Sequence, residues 1–409
     1  MMKKTILFTV VLMFVLSIVV APNALAVDEL KVWANHGAEV DWMKNVAQNY
    51  EAKTGIKIKV QAVTEMDQPQ RLSLDGPAGK GPDVVGWPHD QLGNSIEQGL
   101  LEPISQYLPT GYAEDHFLDK AISALTYKGK NYGLPFSYQN LALVYNKDKI
   151  SDIPDTFEEF IAKTKKMTNE SNDKYGFLFP PFKFYYSASF IQGYGGYVFD
   201  KHEDGTYNPQ KLGLNNPQAI KGLKLVKRFR EEGLIPKGTT VDTMNGLFME
   251  GKVAAVLSGP WFISDYKKAG INVGVAPLPK LANGRRPKPF IGVKGYYISH
   301  FSEHKQAAAD FIKYITDAKR SMDHYQSNNI LVPHQEVINS QAVKNDEIIN
   351  AFYRQAKTGV PMPNIPEMSQ VWNPVDNALK FVLNGRVSPQ QAMATSERMI
   401  KEGIRMMKK

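Results

Sequence analysis

The chain has 409 residues, with 49 Lys and Arg against 41 Asp and Glu, a net charge of +8 and no cysteine. The missing thiols exclude disulfides, thiol nucleophiles, thiolate metal sites and a lipid-modified cysteine. Basic residues are interspersed with acids, as in KLVKRFREEG at 224–233, so no basic face is laid out for nucleic acid.

Lys3 and Lys4, the apolar run from Thr5 to Val20, and Ala24-Leu25-Ala26 form the charge, core and cleavage site of a secretory signal peptide over residues 1–26. The run is shorter than a spanning helix. The mature protein is expected to start near Val27 and to be periplasmic or extracellular. At about 380 residues it exceeds one ordinary core. Leu30 to Ala34 reads as a buried strand, and Trp42, Met43, Val46, Ala47 and Tyr50 recur at helical spacing until Thr54-Gly55. Ile56 to Val60 alternates as a second strand, which makes a βαβ unit and a parallel sheet. A turn, DGPAGKGP at 75–82, leads into the strand Asp83–Gly86, and Leu141 to Tyr145 is a further apolar strand. Thr156 and Glu159 form a capping box for the helix at 157–167.

The second half repeats the style. Gln218 to Glu232 is an amphipathic helix stopped by Gly233, and Met244–Met249 closes another before the strand Lys252–Leu257. Val293–Ser299 is a strand, Lys305–Ile315 a helix, and Pro374–Met406 is mostly helical. No Pro-, Gly- or Ser-rich linker separates the two halves. Two α/β lobes without a linker imply that the chain passes between them more than once.

Catalytic patterns are poor. His300, Glu303 and His304 match H-x-x-E-H, but Ser302 reads as the cap of the next helix, which puts His300 outside it. Gly79-Lys80 lacks the Ser or Thr of a phosphate loop, no nucleophile elbow occurs, and Glu158-Glu159 lies on an amphipathic helix. His89 reads as a loop residue. No metal or cofactor is expected. Tryptophan is more informative. Trp33, Trp87 and Trp261 sit at the carboxyl ends of strands, where open α/β sheets bind ligands, and Trp372 follows a Pro-rich stretch. A sugar offers an apolar C–H face and a rim of hydroxyls. Flat aromatics suit the face, and the nearby Asn35, Asp90, Gln91 and Asp376 suit the rim.

Several segments carry a resemblance: LKVWAN at 30–35, GPDVVGWPHDQLG at 81–93, YGLPFSYQNLALVYNKD at 132–148, GKVAAVLSGPW at 251–261, KPFIGVKG at 288–295 and MPNIPEMSQVW at 362–372. Together they resemble the maltose/maltodextrin-binding proteins of bacterial ABC importers. The resemblance implies a periplasmic-binding-protein-like fold of two α/β lobes with crossing hinge segments and a ligand cleft. It implies lobe one at 27–138 and 295–342, and lobe two at 142–290 and 346–409. It implies a monomeric, non-enzymatic protein that hands maltodextrin to membrane permease subunits. The family's stacking aromatics fall on Trp33, Trp87, Tyr185, Trp261 and Trp372, a contacting methionine on Met362, and its hydroxyl-binding acid on Asp90. The chain departs from the pattern at Gln91 (Arg in a relative), Gln139 (Glu), Lys183 (an acid), Ile263 (Trp), Asn373 (Tyr) and Asp376 (Arg). The aromatic platform is kept while polar partners change, so a longer maltodextrin or a cyclodextrin stands as the alternative to maltose. A secreted glycoside hydrolase would need two carboxylates about 5–10 Å apart across one bond. Only Asp90, with Asp376 a weaker second, is a candidate.

Overall fold

A computed structural model describes residues 27–328 and 330–407; the expected signal peptide, residues 1–26, lies outside them. Strand Glu29–Ala34 pairs in parallel with Lys57–Ala62 along its whole length, and with Val84–Pro88 on its other side. The helix between the first two, Ala38–Thr54, buries the stripe Trp42, Met43, Val46, Ala47 and Tyr50. Gly55, at φ 78°, ends it in the left-handed region where a Cβ is costly. These strands belong to a seven-stranded sheet completed by Leu101–Glu102, Gly133–Asn140, Phe290–Ser299 and Val360–Pro361. Phe290–Ser299 is its spine. It is antiparallel to Val84–Pro88 on one side and to Gly133–Asn140 on the other, and is three residues longer at its start than periodicity suggests.

A second sheet has four strands in the order Val273–Ala276, Ala142–Asn146, Val253–Ser258, Tyr175–Leu178. The fold is thus two α/β lobes, one per large sheet. The second packs a cluster of phenylalanines: Phe157, Phe160, Phe177, Phe179, Phe190 and Phe229 are all at most 2% exposed. Their rings meet edge-on or tilted, with centroids 5.2–6.3 Å apart, as the quadrupoles of aromatic rings favour. The capping box at Thr156 and Glu159 has both its bonds.

The chain leaves one sheet for the other between Asn140 and Ala142, and returns between Ala276 and Phe290. After Val360–Pro361 it passes back, and helices Trp372–Leu383 and Pro389–Met406 pack against the helices Phe184–Tyr194 and Pro217–Glu231 of the second lobe. Repeated crossing explains why no linker is visible in the sequence. Ser302 does not cap the helix Lys305–Ile315; its hydroxyl donates to Asp83 Oδ1 at 2.6 Å. His300 Nδ1 lies 3.0 Å from Glu102 Oε2.

Candidate ligand cleft

Strand ends and crossing segments converge on a cavity of about 480 Å³. The seven-stranded sheet supplies Asn35, just past its first strand, Glu65 and Met66, past its second, and Pro88, Asp90 and Gln91, at the end of its third. Gly292 and Lys294, two apart on the spine strand and so on one face, add to that wall, and Gln139 comes from the neighbouring strand. The second lobe supplies the rings. Tyr185 stands on the first turn of helix Phe184–Tyr194, Trp261 on the 3₁₀ turn after Val253–Ser258, and Trp372 on the first turn of its helix, with Met362 just past the short strand Val360–Pro361. The charged groups therefore come from one lobe and the rings from the other.

The expected residues Asn35, Asp90, Gln91, Gln139, Tyr185, Trp261, Met362 and Trp372 come together here. Trp33, Trp87 and Asp376 do not. Trp33 lies within its strand, 2% exposed; its indole N–H donates to Gln61 Oε1 at 3.1 Å, and the Arg71 guanidinium sits 4.8 Å over its ring. It lines a separate cavity with Lys59 and Lys80. Trp87 is wholly buried, with its ring 5.2 Å from that of Tyr297, whose hydroxyl donates to the Trp87 carbonyl at 3.1 Å. Each strand runs a residue past its tryptophan, so these rings join the core. Asp376 accepts the Phe184 backbone N–H at 2.7 Å and pairs with Lys183 at 3.2 Å. It satisfies an open N–H at the start of the helix that carries Tyr185. The resemblance implied an acid at 183 and an arginine at 376; this chain has a lysine and an acid there, and the two pair with each other.

Trp372 is held by Phe184 and Phe290, with centroids 5.9 and 5.7 Å away. A Cβ on Gly259 would collide with the Trp261 ring, so the indole lies against bare backbone. Burial pushes the Asp90 carboxyl up to about 7, with Glu65 adding to the rise; its own backbone N–H and a hydrogen bond from the Trp372 indole oppose it. Burial likewise holds the Tyr185 hydroxyl well above its usual range.

His89, read from sequence as a loop residue, is fully buried. The Val293 N–H donates to its Nδ1 at 3.0 Å, and Nε2 lies 2.9 Å from the Met362 carbonyl. With Nδ1 accepting, Nε2 carries the proton and donates. Burial lowers this imidazole to about 4, which keeps it neutral and the bridge intact. It ties the Asp90 turn to both the spine strand and the Met362 segment.

Sequence reasoning missed Glu65, Met66, Pro88, Gly292 and Lys294. Two signals were present: Glu65 follows a strand end as Asn35 and Asp90 do, and Lys294 is the lone charge in FIGVKGYYIS. Lys294 Nζ is 2.6 Å from Glu65 Oε2, and both side chains are less than one-fifth exposed.

A model of the family described as bacterial extracellular solute-binding protein matches residues 45–351. The Galactooligosaccharide-binding protein of Bacillus subtilis (strain 168) is 36% identical over 371 residues, covering 89% of this chain and 87% of that protein. A solved cyclo/maltodextrin-binding protein complexed with maltotetraose is 41% identical, with a TM-score of 0.84 over 92% of this chain and 97% of that one. The Thermus thermophilus maltotriose binding protein, solved with maltotriose, is 31% identical, with a TM-score of 0.83 over 92% of this chain and 100% of that one.

Proposed function

The chain belongs to the bacterial extracellular solute-binding protein family, and from that premise we propose that it captures maltodextrin in the cleft and delivers it to the permease subunits of an ABC importer. The observation that carries this reading is a single cavity lined by the rings of Tyr185, Trp261 and Trp372 together with the polar groups of Asn35, Glu65, Asp90 and Lys294. Rings take the C–H face of a glucose unit and polar groups take its hydroxyls. Lobe one spans 27–138 and 295–342 and lobe two 142–290 and 346–409, closing on the crossing segments. The protein is exported, acts as a monomer and turns nothing over. Asp376 is engaged by Lys183 and a helix end, and Glu65 by Lys294, which leaves Asp90 without the second free carboxylate of a hydrolase. Calorimetry against maltose, maltotriose, longer maltodextrins, cyclodextrins and galactooligosaccharides tests the reading. Heat with the glucans and no new reducing ends supports it. Binding of the galactooligosaccharide alone would reassign the ligand.

Gly292 is expected to mark the floor of the site. A Cβ there would lie 3.6 Å from Met362 Cε and 4.0 Å from the Tyr185 hydroxyl, ordinary contact distances. Gly292→Ala should bind nearly normally, whereas Gly292→Leu fills the cavity and should abolish binding with a melting temperature close to the parent's. Unchanged affinity in the leucine variant would place the ligand elsewhere.

Asp90 gives the binding a pH dependence. A glucan hydroxyl donates best to the carboxylate anion, so capture favours loss of the proton that Asp90 holds up to about pH 7. Affinity should rise from pH 5.5 to 8, and calorimetry at pH 6 in buffers of different ionisation enthalpy should show proton release. Asp90→Asn should remove that release even though Glu39 also titrates near 7; its persistence would remove Asp90 from this role. Without ligand the linkage works against the fold. Between about pH 4 and 7 the native state keeps a proton that the unfolded chain has lost, so this group's contribution to stability falls as pH rises.

A further inference from the structure

We propose that the open sheet face beside Trp33 is a docking surface for a linear phosphodiester polymer, held through Lys31, Lys59 and Lys80. The surface lies outside the sugar cleft and does not depend on what binds there. Strands Glu29–Ala34 and Lys57–Ala62 pair in parallel, and parallel strands are ordinarily covered on both faces. Here helix Ala38–Thr54 covers one face, where Leu30, Val32 and Ile58 are buried. Side chains alternate along a strand, so the opposite face carries Lys31 and Trp33 on one strand and Lys59 and Gln61 on the other. Arg71 sits over the Trp33 ring, while Lys31, Lys59 and Gln61 are exposed. With Gly79, Lys80 and Gly81 of the turn at 75–82 they line a cavity of about 650 Å³.

Every polar side chain lining this cavity offers donors. Gln61 Oε1 already accepts the Trp33 indole N–H at 3.1 Å, which orients the amide and leaves its NH₂ group for the cavity. Among the described residues no carboxylate lines it, and the neighbouring acids are engaged. Asp75 pairs with Arg71 at 3.0 Å, Asp83 accepts the Lys31 backbone N–H and the Ser302 hydroxyl, and Glu29 reaches Lys57 and Lys59 at 4.0 and 3.7 Å. Lys31 stands directly opposite Lys59 in the strand register. Like charges so placed oppose the pairing, and an anion between them removes the conflict. Lysines on an edge strand guard against stray pairing. That accounts for Lys57 and Lys59, but not for Lys31, one strand in, or Lys80, on a turn.

The turn is firm. The Gly79 and Lys80 N–H groups donate to the Gly76 and Asp75 carbonyls at 3.0 and 2.9 Å, and a Cβ on Gly76 would overlap the Phe301 ring. With those N–H groups spent, ammonium groups meet the anion. They act as point charges and suit phosphate oxygens, whereas planar carboxylates are matched by an arginine fork. The cavity sits over the outermost pair of strands. A linear chain can lie across that sheet edge, but a flat lipid surface cannot follow the recess inward. Docking there holds an exported protein in the cell envelope and leaves its cleft free.

The test is fluorescence anisotropy of a dye-labelled, soluble poly(glycerol phosphate) chain titrated with the whole protein. Binding is expected, and raising NaCl from about 50 to about 200 mM should weaken it by at least about tenfold through counterion release. Lys31→Gln/Lys80→Gln should weaken it by at least about tenfold. Lys221→Gln/Lys224→Gln removes the same charge from the exposed face of helix Pro217–Glu231, and should change binding by no more than about twofold. A melting temperature like the parent's shows that each variant folds, so the result stands apart from the fate of the sugar reading. Equal weakening in the two double variants would reduce the surface to diffuse charge and overturn the proposal. So would no binding of the polymer, or binding of phosphatidylglycerol vesicles without it.

Discussion

Replacing Trp372 by alanine is expected to weaken maltodextrin binding by at least about 2 kcal/mol, the scale of an interface hot spot, with Trp261→Ala doing the same by a simpler route. A fully covered indole face is worth on the order of 4–6 kcal/mol as an upper bound, from about 150–250 Å² at roughly 25 cal/mol per Å². Ordering the ligand and closing the lobes subtract from that. Single neutral hydrogen bonds net only about 0.5–1.5 kcal/mol each, so Gln139→Ala should cost less. Trp372 has a second role. Its indole stabilises the Asp90 carboxylate and its ring fills the space beside Phe184 and Phe290. Its removal should therefore also push the pH dependence of binding upward. Trp261 leans on bare backbone at Gly259, with Phe262 its ring neighbour at 6.3 Å, and its loss should leave the pH profile in place. Calorimetry on the three variants decides the matter. Normal binding by both tryptophan variants, beside abolished binding in Gln139→Ala, would defeat the stacking-led account.

The second large effect is on stability. Trp87→Ala should cost about 3–5 kcal/mol of unfolding free energy, the range for emptying an aromatic core site. The ring is fully enclosed against Tyr297. Its strand is pressed so closely to the spine that a Cβ on Gly86 would come within 2.8 Å of Tyr296, which leaves little slack for collapse into the void. Among the described residues the buried indole N–H has no hydrogen-bond partner, so Trp87→Phe, which deletes that donor and keeps a ring, should be far milder. Urea unfolding measures both. A loss below about 1 kcal/mol in the alanine variant, together with collapse of sugar affinity, would mean that Trp87 faces the ligand.

Much of this architecture is written in local patterns. The Trp42-to-Tyr50 stripe, the capping box at Thr156 and the run KVAAVLSGPW each specify an element by spacing alone, and the absence of a linker gives away the repeated crossing. The sidedness of a strand end is harder to read. A strand that continues one residue further turns each side chain to a different fate, because facing alternates with every residue. That is how Trp33 and Trp87 came to be expected at the cleft while lying in the core. Asp376 misled for another reason. Trp372 and Asp376 are one helical turn apart and share a face, but the tryptophan reaches the cavity and the carboxylate stops at the end of a neighbouring helix. Lys294 shows the converse. A lone charge inside an apolar strand has meaning only once its partner is known, and Glu65 is 229 positions away in the chain, joined to it only by the sheet.

The reversed pair Lys183–Asp376 constrains how such a protein changes by mutation. Converting position 183 alone to the acid expected from its relatives would set two carboxylates against one helix start. Converting 376 alone to arginine would set two cations there and strip the Phe184 N–H of its acceptor. Neither single step preserves the support beneath Tyr185. Exchanging the two charges therefore takes an uncharged intermediate or a change at both positions together, and a designer altering the polar contacts of this cleft faces the same two-step route.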